Sequence, residues 1–419
     1  MDMDKIKSAM EKLNRDASEH ECSVPISYDE FLMKLVEEPD RIIRNVFQVF
    51  YDMIKTYAGE GFDEYPDDPE SINFVYYDCS KLFVEGADHP FFADRIFANR
   101  FISHVEALKR GAQQNKIYIF DGPHGCGKST FLNNLLMKFE EYANTREGSR
   151  YEVLWRLDRE LLGESASSSP ITKMFRMMDY PDFESIRQNE EDQGEGDCPD
   201  PYRRDKEMTE AQYSPYLNEK YIDVPCPSHD HPLLMIPKNY RRDFLDNLLE
   251  NDETKYRIFN EKEFEWIFKE NPCTICDSLY SALLKRLRNP LKVLEMIFAR
   301  PYRFSRRMGE GISVYNPGDK PMRQTVFTNP ILQKRINAFL KDSNLVKYIF
   351  SRYAKTNNGI YSLMDIKSHN TDRLIELHNI ISEGVHKVED IEENVNSLFF
   401  ALMNPEDKKN IQGVPSFSD

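Results

Sequence analysis

Apolar residues in this chain first recur at helical spacing. Ile42, Ile43, Val46, Val49, Phe50, Met53 and Ile54 fall on one face of a 3.6-residue repeat, and Ser27 with Glu30 forms a capping-box pair. Residues 27–58 are therefore expected to be helical. The stretch 59–73, GEGFDEYPDDPESIN, is acidic and proline-rich and reads as a loop. FVYYD at 74–78 reads as a short strand. Ile96, Phe97, Phe101, Val105 and Leu108 predict a helix across 92–111. The apolar run at 117–120 then has the character of a parallel strand covered on both faces. Behind it, Phe131, Leu132, Leu135, Leu136 and Phe139 predict a helix reaching about Tyr142. VLWRLD at 153–158 is expected to be the second core strand.

The pattern is lost between 182 and 215, where apolar residues are few and charges come in blocks. This segment reads as a mobile surface insertion, with a solvated helical hairpin as the alternative. Order resumes at DVPCPSHDHPLLMIP and continues through a helix-rich stretch, 239–299. Residues 301–323 are turn-rich, and 330–354 again show helical spacing. GIYSLMDI at 359–366 reads as a strand, 370–383 as a helix, and SLFFALMN at 397–404 is the last apolar run. The expected organisation is a helical N-terminal region (1–90), a first part of an α/β core (91–180), an insertion (181–330) and a second part of the core (331–419). Residues 1–23 are polar, a loose helix or tail.

Composition narrows the function classes. The 419 residues are 40% hydrophobic and 30% charged, an ordinary globular balance with room for two or three domains. No apolar run approaches the roughly 20 residues needed to span a bilayer, and the N-terminus lacks an apolar secretory segment. A cytoplasmic protein without a membrane partner is expected. A formal charge of −16 argues against general nucleic-acid binding, which needs cationic surface. The seven cysteines (22, 79, 126, 198, 226, 273 and 276) are odd in number and uneven in spacing, as suits reduced thiols.

One motif carries specific chemistry. Gly122-Pro123-His124-Gly125-Cys126-Gly127-Lys128-Ser129 matches GxxxxGK[ST], between a strand pattern and a helix pattern as that motif requires. Main-chain N–H groups from Gly122 to Thr130 would surround an anion, Lys128 would neutralise phosphate charge, and Ser129 would ligate Mg²⁺. The alternative is a purely structural turn. A second acid is needed at the end of a neighbouring strand. Asp365, closing Ile360-Tyr-Ser-Leu-Met-Asp365, is the first candidate and Asp158 the second. Asn404, after LFFALM, fits a water-positioning role. A strand-end cap (Asp365) and a turn former before Pro405 (Asn404) are the plain alternatives. Ile366 follows Asp365 where a hydrolytic site usually has a second carboxylate. Glu376 or Glu383 would have to supply it. The nucleotide is expected to be ATP, because no NKxD-type guanine reader is present.

A second constellation pairs Cys226 with His229 and Cys273 with Cys276, each with two intervening residues, the spacing that presents both ligands to one ion. A structural Zn²⁺ site is the expectation, with His231 able to replace His229. Unrelated buried thiols and a redox-active Cys273–Cys276 pair are the alternatives.

Several blocks together resemble the bacterial PrkA-type serine protein kinases, whose N-terminal part is an AAA+-like ATPase. They are DRIFANRFISHVEALKRGAQQNKIYIFDGPHGCGKSTFLNNL, CPSHDHPLLMIP, NPCTICDSLYSALLKRL, YNPGDKP, and GIYSLMDIKS through LFFALMNPED, in family order over about residues 40–407. The resemblance implies an α/β P-loop NTPase (AAA+-like) fold: a parallel sheet with flanking helices, a helical N-terminal region and an inserted Cys/His-containing helical subdomain. It also implies ATP at Gly122–Ser129, Asp365 near Mg²⁺, Asn404 near the sensor position, a homo-oligomer and a protein substrate. The lid, arginine finger and kinase region of that family would lie beyond Asp419. Eukaryotic kinase signatures are absent, since Tyr240-Arg-Arg-Asp243-Phe-Leu-Asp-Asn247 and Gly309-Glu-Gly311 are only partial echoes. Two further readings stay open: a nucleotide-dependent switch with negligible turnover, and a zinc-stabilised interaction scaffold.

Overall fold

Two four-stranded sheets organise the chain in a computed structural model. The structure describes residues 24–110 (without 65 and 68–74), 117–158, 221–316, 319, 325–326, 349–350, 352–366, 377, 380, 383–388 and 391–407, together with 7 and 10. The strands are β1 (Ile26–Ser27), β2 (Ile117–Asp121), β3 (Tyr151–Asp158), β4 (Tyr221–Pro225), β5 (Ile297–Pro301), β6 (Ile312–Tyr315), β7 (Thr325–Val326), β8 (Ile349–Phe350), β9 (Ile360–Ile366), β10 (Val385–Val388), β11 (Ile391–Asn394) and β12 (Leu398–Met403). The helices that matter below are α1 (Tyr28–Glu37), α2 (Val46–Ala58), α3 (Arg95–Lys109), α4 (Lys128–Ala143) and α5 (Thr274–Leu287).

The first sheet has the order β2-β12-β9-β6, and every pair in it is parallel. Its faces explain the continuous apolar runs in the sequence. Leu398, Phe400 and Leu402 of β12 join a core with α2, α3 and α4, whereas Phe399, Ala401 and Met403 join a second core with Tyr315, Tyr353, Leu377 and Ile380. All six β12 residues are buried, as a parallel strand covered on both sides should be. β2, expected to be covered on both faces, is instead the edge strand, with no residue fully buried and Ile119 47% exposed, because no strand among the described residues pairs on its outer side. Phe131, Leu132, Leu135, Leu136 and Phe139 form the predicted stripe that docks α4 on this sheet. Burying each such side chain stabilises the fold by about 1.5–3 kcal/mol.

The second sheet has the order β1-β5-β3-β4, with antiparallel pairing throughout. Arg156 on β3 sits opposite Asp223 on β4 and makes two 2.7 Å hydrogen bonds to its carboxylate. Its core gathers Val153, Trp155 and Leu157 with Phe31 and Leu35 of α1 and Cys276, Leu279 and Leu283 of α5. The chain is thus mixed α/β, with a parallel sheet and flanking helices.

Several sequence expectations need correction. VLWRLD does form a strand, but in the antiparallel sheet rather than beside β2. Its partners both come from the 181–330 insertion: β4 precedes the helix-rich stretch 239–299, and β5 begins at its end. Ile312–Tyr315, within the turn-rich stretch, is an edge strand of the parallel sheet. The helical stretch 27–58 is three helices: Pro39 opens Pro39–Ile42, and Asn45 caps α2 with Gln48 in a capping box. The Ser27–Glu30 box is present at α1. The strand expected at 74–78 is reduced, among the described residues, to one β-bridge from Tyr76 to Phe62, with Val75 held instead by the Asn99 side chain. The tail before 24 (7 and 10 apart), the 182–215 segment, most of 330–354 and most of 370–383 lie outside the described residues. Among the described residues, no helix is long and apolar enough to cross a membrane.

Candidate functional site

The glycine loop leaves the end of β2 and enters α4 directly. Gly127 is the N-cap of α4 in a left-handed conformation (φ +87°), and Gly125 is also left-handed (φ +76°), a geometry L side chains strain to adopt. A Cβ at Gly122 would meet Cys126 Sγ at 2.9 Å. A side chain at Gly122 would therefore collide with Cys126, and one at Gly125 or Gly127 would strain the left-handed backbone. No side chain caps the first turn of α4, and no acidic residue lies in it. The first intrahelical bond runs from Phe131 N–H to Gly127 O, so the amides of Lys128, Ser129 and Thr130 stand ahead of it at the helix mouth. Lys128 Nζ folds over the loop, donating to Gly122 O at 2.6 Å and Pro123 O at 2.9 Å, with Cys126 Sγ at 3.8 Å. Pro123, His124, Gly125, Cys126 and Ser129 are exposed to solvent.

Strand register brings two more groups to this edge. Met403 pairs with Asp121 on one side and with Ile366 on the other, so Asn404, Gly122 and Asp365 all leave the sheet at the same level. β12 lies between β2 and β9, which separates the glycine loop from Asp365 by two strand spacings, roughly 10 Å. Leu363 faces Ala401 and Ile366 faces Met403, so β9 spends three steps where β12 spends two. The extra residue is a bulge. Met364 accordingly joins one core while Leu363 and Ile366 join the other. Asp365 sits in this bulge with φ +57°, a left-handed conformation uncommon outside glycine and found where a side chain is re-aimed. Asn404, only 3% exposed, donates from Nδ2 to Asp365 Oδ1 at 2.9 Å. An amide-held carboxylate thus stands at the same strand edge as the open N-terminus of α4 and the Lys128 ammonium. Asp158 ends β3 in the other sheet and is not part of this edge. Glu383 is exposed beside the β10–β11 hairpin, and Glu376 lies outside the described residues.

A second cluster forms on the antiparallel sheet. Cys226 follows β4, and its loop is clipped to β3 at both ends: Cys226 N–H donates to Val153 O at 3.0 Å and Val153 N–H to Asp230 O at 2.9 Å. Cys273 is the N-cap of α5 and accepts from Cys276 N–H at 3.4 Å. The ligand atoms of Cys226, Asp230, Cys273 and Cys276, all buried, lie within 4.8 Å of one another and can hold a metal ion. His229 is not among them. Its Nδ1 bonds the Glu152 carboxylate, its Nε2 donates to Lys355 O at 3.0 Å, and its ring stacks on Tyr302 at 4.1 Å. His231 is also spoken for, donating to Ile42 O and accepting from Leu233 N–H. The structure therefore groups the three cysteines with the Asp230 carboxylate, not with the His229 imidazole that the sequence spacing paired with Cys226. Spacing could not separate His229, Asp230 and His231. The left-handed backbone at His229 (φ +55°), which turns consecutive side chains apart, decides among them.

Burial opposes ionisation of Cys226, but hydrogen bonds from the Cys273 and Cys276 thiols and from the Asp230 amide outweigh it and hold its pKa well below the ordinary thiol value. Burial pushes Cys273 and Cys276 up, and burial plus the Cys226 charge pushes Asp230 up. All three thiols are reduced and enclosed, without the exposure a disulfide-exchange pair requires.

Comparison with protein-family models, with curated proteins and with solved structures found no match to this chain. The geometry of its own residues carries the functional reading.

Proposed function

We propose that this chain binds Mg²⁺-ATP at the Gly122–Thr130 loop, as an AAA+-like P-loop module of the PrkA-type serine protein kinase and ATPase class. The observation that carries this reading is the shared strand edge: a left-handed glycine loop on one strand, and a bulged Asp365 held by Asn404 on the two strands beside it. Ligands of open parallel sheets bind outside the carboxyl ends of the strands, and this is such an edge. Main-chain amides from Gly122 to Thr130 would hold the phosphates, with Lys128 supplying the compensating charge. Ser129 and Asp365 are the residues that would hold Mg²⁺, whose chemistry is to neutralise charge on the phosphate oxygens. Asn404 keeps Asp365 oriented and can direct a water at the same edge. The buried, reduced cysteines suit the cytoplasm, where thiols are kept reduced.

A second reading, a nucleotide-dependent switch with little turnover, is favoured by one feature. The residue after Asp365 is Ile366, 6% exposed and packed in the core, so no carboxylate stands beside Asp365 in sequence to polarise water. Titration of the full chain with ATP, with and without Mg²⁺, tests the binding. Saturable binding that Mg²⁺ strengthens and that Asp365→Asn loses in its Mg²⁺ dependence is expected. Absence of binding at millimolar ATP refutes the proposal. Phosphate release by the same preparation separates the ATPase from the switch.

A further inference from the structure

The Cys226 and Cys273 loops sit at the end of the parallel sheet opposite the glycine loop. Asn357 Nδ2 donates to Ser228 O at 2.9 Å and Asn358 Nδ2 to His229 O at 3.2 Å, which ties the first loop to the turn that leads into β9. His229 reaches the same turn through Lys355 O. Thr274, next to Cys273, donates from its amide to Glu393 of β11 at 3.1 Å and from its hydroxyl to the same carboxylate, which ties the second loop to the segment that leads into β12. These lead-in segments are also joined to each other: Asn396 N–H donates to Asn357 Oδ1 at 2.7 Å, and Ser397 Oγ to Thr356 O at 2.9 Å. Asp365 and Asn404 lie about six residues along these strands, roughly 20 Å away.

We propose that Cys226, Cys273, Cys276 and Asp230 bind one tetrahedral Zn²⁺, and that this ion braces the starts of β9 and β12 rather than taking part in chemistry. The donor set is three sulfurs and one oxygen, which suits a borderline-soft d¹⁰ ion. Cys226 Sγ and Cys273 Sγ are 3.6 Å apart, too far for a disulfide and close to the edge of a tetrahedron of about 2.3 Å zinc–sulfur bonds, about 3.8 Å. The surroundings are those of a closed structural site. Asp230 N–H donates to Cys226 Sγ at 3.3 Å, Trp155 Nε1–H to Cys276 Sγ at 3.4 Å, and Cys273 N–H to Asp230 Oδ2 at 2.8 Å, so each donor type is oriented by a second group. No fourth position is left for water. Zinc replaces the thiol protons, so the three cysteines ligate as thiolates and protons are released on loading.

The test uses the full chain, purified reduced, with metal analysis and Co²⁺ substitution. The expected result is one zinc per chain. The Co²⁺ form should show tetrahedral bands and a thiolate-to-cobalt band of three-sulfur intensity. Asp230→Ala should weaken Co²⁺ binding at least tenfold while keeping the three-thiolate band, and His229→Gln should leave stoichiometry and spectrum unchanged. Stripping the metal should speed hydrogen exchange at the amides of Asn358, Ile360 and Leu398, which at the starts of β9 and β12 donate to Asn396, Gly311 and Gly359. Lys128→Ala should retain the zinc, so loss of the nucleotide reading leaves this one standing. Less than half an equivalent of zinc with no charge-transfer band, iron as the only metal, or loss of the band in His229→Gln but not in Asp230→Ala would overturn the site. Faster exchange confined to the two cysteine loops would overturn the brace.

Discussion

Replacing Lys128 with alanine separates the electrostatic part of the glycine loop from its shape. In the free protein the ammonium donates to two carbonyls, of Gly122 and Pro123, and both residues are at least partly open to solvent. Water can replace it there, so folding stability should change by no more than about 0.5 kcal/mol. The nucleotide side is different. A unit charge about 4 Å from a phosphate oxygen, at an effective dielectric near 20, contributes about 4 kcal/mol. Giving up the two carbonyl bonds to reach it costs back about 1–2 kcal/mol. The net loss in Lys128→Ala is then about 2–3 kcal/mol, a rise in the dissociation constant for Mg²⁺-ATP of about 30- to 150-fold. Isothermal titration of both proteins, with a melting curve of each as the folding control, gives the comparison. A folded variant whose affinity changes by less than threefold would refute the assignment of Lys128 to the phosphates.

Three further outcomes follow from the geometry. Asn404→Ala removes the amide that holds Asp365 Oδ1, so nucleotide affinity should fall by no more than about 1 kcal/mol, while phosphate release, or the Mg²⁺ dependence of binding where release is negligible, should drop about tenfold or more; unchanged behaviour in both would show that this contact does not serve the site. Gly127→Ala forces a Cβ onto a residue at φ +87° and within 3.2 Å of Phe91, so denaturant unfolding should show a loss of about 1–2 kcal/mol; a neutral result would mean that the loop relaxes out of its left-handed turn. Burial lowers the pKa of His386 from 6.5 to about 4, and its Nε2 has no hydrogen-bond partner among the described residues. Because the depressed value favours the neutral ring in the fold, this contribution is complete above pH 6.5 and is lost as pH falls toward 4, by up to about 3 kcal/mol. Urea unfolding across that window should show a smaller acid loss in His386→Phe than in the parent, and equal slopes would contradict the buried-neutral assignment.

What the sequence alone determined are the features set by neighbours along the chain. The α4 stripe, the Ser27–Glu30 cap, the strand at β9, the apolar run of β12 and the glycine spacing at 122–127 depend on residues within a few positions of one another, where helical and strand periodicity dictate which side chains share a face. Asp365 and Asn404 were likewise visible as polar residues ending apolar runs. Their hydrogen bond was not, because it arises from the register of two strands nearly 40 residues apart together with a bulge that local pattern does not mark. Tertiary structure also decided that VLWRLD joins an antiparallel sheet: its partners β4 and β5 are distant in sequence, and an apolar run does not state which edge it will pair with. The metal cluster divides the same way. Two pairs of closely spaced cysteine and histidine residues announced the chemistry, but only the turn at His229 and the clips to Val153 place the Asp230 carboxylate with three sulfurs and send the imidazole elsewhere. A donor's type belongs to the residue, and its direction belongs to the backbone that other segments hold in place.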